Sequence, residues 1–114
     1  ADDVHETASG LQYKIEHRGD NEAKPSATSK VKVHYHGTLL DGSVFDSSVV
    51  RNSPISFGLN QVIAGWTEGL QLMSEGDKFT FYIPPQLAYG SKRVGSIPAG
   101  SLLIFDVELI KIES

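Results

Sequence analysis

The chain has 114 residues, of which 39% are hydrophobic and 21% charged, a composition typical of one compact globular domain. Ten basic against fourteen acidic residues give a net charge of −4, which argues against nucleic acids and anionic lipid surfaces as partners. The absence of cysteine excludes disulfides and thiolate chemistry, and the longest apolar run, LLIF at 102–105, predicts no membrane insertion.

The first half of the chain is predicted to form short strands after a polar tail. Residues 1–9 lack periodicity and are interpreted as a tail or linker, with the domain covering 10–114. Alternation of apolar and polar residues predicts strands at 11–16 and 31–36. A turn at Asp41 and Gly42 predicts a hairpin, and a short apolar run follows at 55–57.

The second half contains the one predicted helix, at residues 61–73. Its apolar stripe has spacings of four, four and three and consists of Val62, Trp66, Leu70 and Met73. Gly65 and Gly69 are expected to lie off this stripe and to weaken the helix, which therefore needs a packed sheet to bury its tryptophan. Further strands are predicted at 78–83 and 103–110. This order of elements predicts an α+β fold, an antiparallel sheet packed against a single helix.

Few residues suggest metal or acid–base chemistry. His34 and His36 are two apart on a predicted strand and could both ligate a metal, but no third ligand is evident. Two exposed strand histidines are the favoured interpretation. Asp46 and Glu68 could form an acid–base pair, although Glu68 is expected on the polar face of the helix. The tripeptide RGD at 18–20 is interpreted as a turn.

Six short motifs closely resemble those of the FKBP-type peptidyl-prolyl cis-trans isomerases and occur in the order of that family. They are VHYHGTL at 33–39, DGSVFDSS at 41–48, VIAGWTEGL at 62–70, IPPQLAYG at 83–90, IP at 97–98 and LIFDVEL at 103–109. The resemblance implies a five- or six-stranded antiparallel sheet wrapped around one short helix. Two further segments, SGLQY at 9–13 and GLNQV at 58–62, are similar to the bacterial macrophage infectivity potentiator type.

The resemblance also implies a proline-binding pocket between the sheet and the helix. Tyr35, Phe45 and Phe105 are expected to form its aromatic walls, with Trp66 as its floor. The Ile63 amide is expected to donate to a substrate carbonyl. The complete set of expected binding residues is Tyr35, Phe45, Asp46, Arg51, Ile55, Phe57, Val62, Ile63, Trp66, Ala88, Tyr89, Ile97 and Phe105.

Three of these residues, Asp46, Tyr89 and Phe45, are implied as catalytic. The Tyr89 hydroxyl is expected at the carbonyl of the isomerising bond. Asp46 is expected to be buried, held by Tyr35 and Arg51, with support of the pocket geometry placed ahead of a direct role. Rotation about an X–Pro bond makes and breaks no bond to carbon, so no cofactor and no metal are expected.

The function implied is a peptidyl-prolyl cis-trans isomerase that assists protein folding without covalent chemistry. Two alternatives remain open, a non-catalytic binding module for proline peptides and a folding chaperone that uses the same groove.

The implied partners are proline-containing polypeptides and the macrolides tacrolimus and rapamycin. Ile55 stands where phenylalanine is frequent and leaves their affinity open, and the basic residues Lys92 and Arg93 favour acidic substrates. The domain is expected to be monomeric, and the full-length protein is expected to dimerise through an N-terminal region. The compartment stays open between the cytoplasm and the periplasm or cell surface.

Overall fold

The computed structural model describes residues 4–19, 23–93 and 97–113. In chain order, its strands are β1 (Val4–Glu6), β2 (Gln12–His17), β3 (Lys30–Thr38), β4 (Val44–Ser47), β5 (Ile55–Gly58), β6 (Lys78–Ile83) and β7 (Leu103–Ile112). The helices are α1 (Ser48–Arg51) and α2 (Ala64–Leu70), with 3-10 turns at Leu59–Gln61 and Pro85–Leu87. Within these described ranges, no helix has the length and apolar character needed to cross a membrane.

The strands form one antiparallel sheet that wraps around α2, which confirms the predicted fold class. The order of the sheet is β1-β2-β6-β7-β3-β4, and β5 pairs with the other part of β3. Strand β3 is central because it pairs with β7 along most of its length and with β4 and β5 on its other side. Its buried side chains alternate with less buried ones, as the sequence pattern predicts, and they include Val31, Val33 and Tyr35.

The N-terminal segment differs from the prediction. Residues Val4–Glu6 form β1, which pairs with β2, and the His5 ring stacks on Tyr13 with 5.1 Å between centroids. The interpretation of this segment as a tail or linker is therefore wrong at Val4–Glu6. A strand of three residues is too short for its alternation to be recognised, and the pairing that stabilises it comes from β2. Residues 1–3 of the predicted tail lie outside the described residues.

Helix α2 is shorter than the predicted helix, and its glycines face the sheet. Gly65 and Gly69 are both buried, so the expectation that they lie off the packed stripe is wrong. A Cβ atom on Gly65 would lie 2.5 Å from Ile83 Cγ2, and one on Gly69 would lie 2.7 Å from Phe81 Cε1. The glycines therefore allow α2 to approach β6 more closely than any larger residue would.

We expect Gly69→Ala to lower the free energy of unfolding by about 1–3 kcal/mol, because the added methyl group overpacks the Phe81 ring. The same change at an open helical position stabilises a protein by roughly 0.5–1 kcal/mol, so the sign is diagnostic. Denaturant unfolding of Gly69→Ala, Phe81→Leu and the double variant gives the coupling between the two sites. A stabilising Gly69→Ala, or a penalty unchanged by Phe81→Leu, would contradict this packing.

The predicted hairpin between β3 and β4 is confirmed and closes with an aspartate-capped turn. The amide of Ser43 donates to Asp41 Oδ1 at 2.9 Å, and the Ser43 hydroxyl donates to the same oxygen. These hydrogen bonds, the hydroxyl one foremost, lower the pKa of Asp41 below its ordinary value. Gly42 adopts a φ of 88°, a conformation that glycine takes without strain.

A buried carboxylate joins the loop after β2 to the turn before β6. Asp77 is fully buried, and it accepts hydrogen bonds from the amides of Gly19 at 2.7 Å and Ser74 at 2.9 Å. The Arg18 guanidinium lies 3.4 Å from the same carboxylate and 5.5 Å from the centre of the Phe79 ring. These contacts give the first two residues of the RGD tripeptide a structural role, and Asp20 lies outside the described residues.

Candidate functional site

A cavity of about 680 Å³ opens between the concave side of the sheet and α2. Its lining comes from β3, β4, β5, the segment that leads into α2, α2 itself, the loop after β6, and β7. The lining residues are Tyr35, Phe45, Asp46, Ile55, Phe57, Gln61, Val62, Ile63, Trp66, Tyr89, Ile97 and Phe105.

An aromatic cluster forms the base of this cavity, with Trp66 at its centre. The Trp66 ring meets Phe105 edge to face at 4.9 Å and Tyr35 edge to face at 5.1 Å, and it lies 5.3 Å from Phe57. Trp66 is only 6% exposed. Its indole N–H is the one buried side-chain polar atom without a hydrogen-bond partner in the described part of the chain. The base is therefore a packed aromatic surface whose one buried unpartnered polar atom, among the described residues, is this indole N–H.

The absence of a side chain at Gly37 in β3 leaves room for the rings of Phe45 and Phe105 beside the strand. A Cβ atom on Gly37 would lie 2.8 Å from both the Phe105 and Phe45 rings, which themselves meet edge to face at 5.3 Å. The register between β3 and β4 shifts between Gly37 and Thr38. A bulge of this kind bends a strand and turns its side chains, so it places Phe45 and the following Asp46 at the cavity wall.

Asp46 is the one carboxylate among the described residues of the cavity lining. The Tyr35 hydroxyl donates to Asp46 Oδ2 at 2.6 Å, as predicted. Asp46 itself is exposed, so the expectation of a buried carboxylate is wrong, because it sits at the mouth of the cavity and not in its base. Arg51 ends α1, and its side chain lies outside what the structure describes, so its contact with Asp46 stays a prediction.

Besides the Trp66 indole N–H, two hydrogen-bond donors of lining residues have no partner among the residues that the structure describes. Ile63 caps the start of α2, and its carbonyl accepts the Trp66 and Thr67 amides at 3.0 and 3.1 Å, whereas its own N–H has no acceptor. The Tyr89 hydroxyl also has none. Tyr89 follows the 3-10 turn at Pro85–Leu87, which the Gly90 amide closes by donating to the Pro85 carbonyl at 2.7 Å.

The structure brings together all of the expected pocket residues except Arg51, whose side chain is not described, and Ala88. Ala88 is half-buried and packs against the core behind the lining. Gln61 lines the cavity and was missed by sequence reasoning. Its Oε1 accepts the Gly58 amide at 3.3 Å. A polar residue in a short loop has no periodic signal, so only the fold shows which way it points.

The two histidines of β3 lie behind the cavity and are not exposed. His34 Nδ1 is 2.7 Å from the Ser48 hydroxyl, and His36 Nδ1 is 2.8 Å from the Ser47 hydroxyl, so both brace the junction of β4 and α1. The interpretation as exposed strand histidines is therefore wrong. Among the described residues, no group of three or more histidine, aspartate and glutamate side chains could hold a metal ion. Glu68 accepts the Ser9 hydroxyl and does not line the cavity, so it forms no pair with Asp46.

Comparisons with known proteins agree on one family. The family model described as "FKBP-type peptidyl-prolyl cis-trans isomerase" matches residues 21–110. The chain is 61% identical over 110 residues to the FKBP-type peptidyl-prolyl cis-trans isomerase FkpA of Aeromonas hydrophila, covering 96% of this chain and 41% of that protein. It is 50% identical over 110 residues to the FKBP-type 22 kDa peptidyl-prolyl cis-trans isomerase of Escherichia coli, covering 96% of this chain and 53% of that protein.

Solved structures lead to the same fold. The crystal structure of FkpA from Escherichia coli superposes with a TM-score of 0.93 at 45% identity, covering 98% of this chain and 52% of that one. The chain thus spans about half the length of the curated relatives it matches.

Proposed function

The chain belongs to the FKBP-type peptidyl-prolyl cis-trans isomerases, and we propose that its aromatic cavity accelerates rotation about X–Pro bonds by holding the proline ring against Trp66. The observation that carries this proposal is the combination of an apolar base with two unpartnered donors, the Ile63 amide and the Tyr89 hydroxyl. Such a site suits a ring flanked by two carbonyls.

The rate enhancement needs no covalent step. Uncatalysed rotation has an activation energy of about 20 kcal/mol because the planar amide loses its resonance as it twists. The carbonyl of the twisted amide is less polar than that of the planar amide, so a dry cavity disfavours the planar state more. Each tenfold acceleration needs a difference of only about 1.4 kcal/mol.

The Tyr89 hydroxyl, the Ile63 amide and the Phe45 ring each have a proposed role in the rotation about the X–Pro bond. The Tyr89 hydroxyl donates to the carbonyl of the isomerising bond, and the Ile63 amide donates to the second carbonyl, beside the proline ring. Phe45 packs edge to face on Phe105 and contacts the twisting amide from the wall formed by β4, which also contains Asp46. Tyr89 and Phe45 thus touch the reacting amide and are the proposed catalytic residues, whereas Asp46 is proposed to position the cavity wall.

Asp46 is proposed to support the geometry of the cavity through its hydrogen bond with Tyr35. We expect Tyr35→Phe and Asp46→Ala each to lower kcat/KM for a proline tetrapeptide by about threefold to tenfold, because both remove the hydrogen bond between these two side chains. Asp46→Asn retains an acceptor for the Tyr35 hydroxyl and should keep most of the activity. Protease-coupled isomerisation assays of the three variants show whether Asp46 acts through its hydrogen bond with Tyr35 or through its negative charge. If Asp46→Asn loses as much activity as Asp46→Ala, the negative charge itself acts on the substrate.

The same cavity is proposed to bind tacrolimus and rapamycin. Its volume of about 680 Å³ lies within the range of small-molecule sites, and its lining is mostly apolar. Ile55 is 39% exposed at its rim, where a larger aromatic side chain would cover more of a macrolide. Titration calorimetry should therefore show that Ile55→Phe binds either macrolide more tightly than the unchanged chain does.

Two features of the surface near the cavity support finer proposals about clients. Lys92 and Arg93 are exposed in the loop after Tyr89, and we propose that they favour acidic residues near the substrate proline. Equal turnover of acidic and basic peptides would contradict this. A chaperone role beside isomerisation is proposed for the same groove, whose mostly apolar lining supports it. Suppression of aggregation by a variant that cannot isomerise would separate that role from catalysis.

The whole protein is proposed to have the same activity and to dimerise through residues beyond this chain. The curated relatives are about twice as long as this chain, which leaves room for a separate dimerisation region. Sedimentation of this chain and of the whole protein should give a monomer and a dimer.

A further inference from the structure

A second depression lies along the outer side of α2, directly beside the cavity. Its volume is about 720 Å³, and its lining includes Asn60, Val62, Ala64, Glu68, Gln71 and Leu72. Val62 lines both depressions, so they adjoin at this residue. We call this second depression the α2 groove. A polypeptide held in the cavity reaches it by passing over Val62.

The direction of the substrate follows from the two donors of the proposed function. The isomerising carbonyl precedes the proline ring and is assigned to Tyr89. The carbonyl assigned to Ile63 is then that of the proline itself, which follows the ring. Ile63 is adjacent to Val62 and caps α2. The residues that follow the proline therefore leave the cavity toward the α2 groove.

The chemistry of the α2 groove favours a basic side chain. The Thr67 hydroxyl already donates to the Leu59 carbonyl at 2.6 Å, and Gln71 Nε2 donates to the Thr67 carbonyl at 2.7 Å. These two donors are therefore engaged within the protein and are not free to bind an anionic side chain. Glu68 is the one charged side chain among the described residues of the lining, and its carboxylate complements a cation.

The length of the α2 groove sets how many substrate residues it holds. The seven residues of α2 extend for about 10 Å at the rise of a helix, and Gln71 and Leu72 continue the lining beyond its end. An extended chain covers roughly 3.3 Å per residue, so three or four residues span this length. We propose that the α2 groove is a subsite for the three or four residues that follow the substrate proline, and that Glu68 selects a basic side chain among them. This proposal rests on the proposed function, which supplies the direction of the chain.

The test compares octapeptides that contain a single proline. One has lysine at the third position after the proline, the second has glutamate there, and the third has lysine at the third position before it. Exchange NMR at low ionic strength gives kcat/KM for each peptide. We expect the unchanged chain to favour lysine over glutamate after the proline by about twofold to fivefold, the range for a partly exposed ion pair. The preference should shrink at high salt.

Substitutions at Glu68 and at Ser9 separate the effect of the Glu68 charge from the effect of its hydrogen bond with Ser9. Glu68→Lys should invert the preference, and Glu68→Gln should abolish it. Ser9→Ala removes the hydroxyl that donates to Glu68 but keeps its charge, so the preference should persist. Tryptophan fluorescence confirms that each variant is folded, since Trp66 is the one tryptophan of the chain.

Each outcome supports or overturns a defined part of the proposal. A tetrapeptide that ends one residue after the proline cannot reach Glu68, so its acceleration tests the proposed function alone. If the tetrapeptide is accelerated but the lysine and glutamate octapeptides are turned over equally, the subsite is wrong and the isomerase function stands. The subsite is equally wrong if Glu68→Lys retains the preference. If Glu68→Lys acts instead on the peptide with lysine before the proline, the direction of the chain is reversed.

Discussion

Asp77→Ala is expected to lower the free energy of unfolding by about 2–5 kcal/mol, because two backbone N–H groups lose their acceptor. The Asp77 carboxylate is fully buried and accepts two backbone N–H groups, from Gly19 and Ser74. Its removal leaves the buried Ser74 amide and the half-buried Gly19 amide without their acceptor, at a cost of up to roughly 1–3 kcal/mol each. Urea unfolding followed by tryptophan fluorescence measures the change.

The matched control for this prediction is Arg18→Met, which keeps an unbranched side chain over Phe79 but removes the charge. Arg18 is about half exposed and makes one 3.4 Å contact with Asp77. We expect its replacement to cost about 1 kcal/mol or less. The backbone hydrogen bonds, and not the ion pair, would then account for the importance of Asp77. Similar losses for Asp77→Ala and Arg18→Met would show the opposite.

Trp66→Leu is expected to lower kcat/KM for a proline tetrapeptide by at least about tenfold, equivalent to ~1.4 kcal/mol of transition-state stabilisation. Trp66 is the surface against which the proline ring is held, and it packs on Tyr35, Phe57 and Phe105. Leucine would remove the ring and loosen the walls as well. A protease-coupled assay, corrected for the fraction of folded protein, measures the loss.

Phe79→Leu provides the control for a loss of aromatic packing in general. Phe79 is fully buried but packs on Tyr13 and Phe81 outside the cavity. Its replacement should lower stability by roughly 1–3 kcal/mol and leave the activity of each folded molecule unchanged. The role of Trp66 would be refuted if Trp66→Leu kept its activity, or if Phe79→Leu lost as much.

Much of the fold was predictable because strand periodicity is a local signal. The alternation around Tyr35 in β3 and around Phe105 in β7 places these rings on the concave face, and the motif resemblance supplied the remaining lining residues except Gln61. The cavity is built from such residues, so most of its lining was accessible from the sequence. The catalytic roles of Asp46 and Tyr89 remain predictions, because static geometry tests position and not chemistry.

The features that sequence reasoning missed depend on contacts between distant segments. Helical spacing puts Gly65 and Gly69 off the apolar stripe, yet both face the sheet, because a residue without a side chain is invisible to a hydrophobic pattern. The sequence analysis assigns no role to Asp77, because its burial depends on the loop after β2, whose Gly19 amide donates to it. The pairing of Val4–Glu6 likewise requires β2 as a template.

The most direct measurement is the rate of cis–trans isomerisation of a short X–Pro peptide with the folded chain, in the absence and presence of excess tacrolimus. The proposed mechanism predicts an acceleration that increases with the concentration of the chain and that the macrolide abolishes, because both molecules occupy the cavity over Trp66. No acceleration by a folded sample would contradict the mechanism and with it the roles assigned to Asp46 and Tyr89.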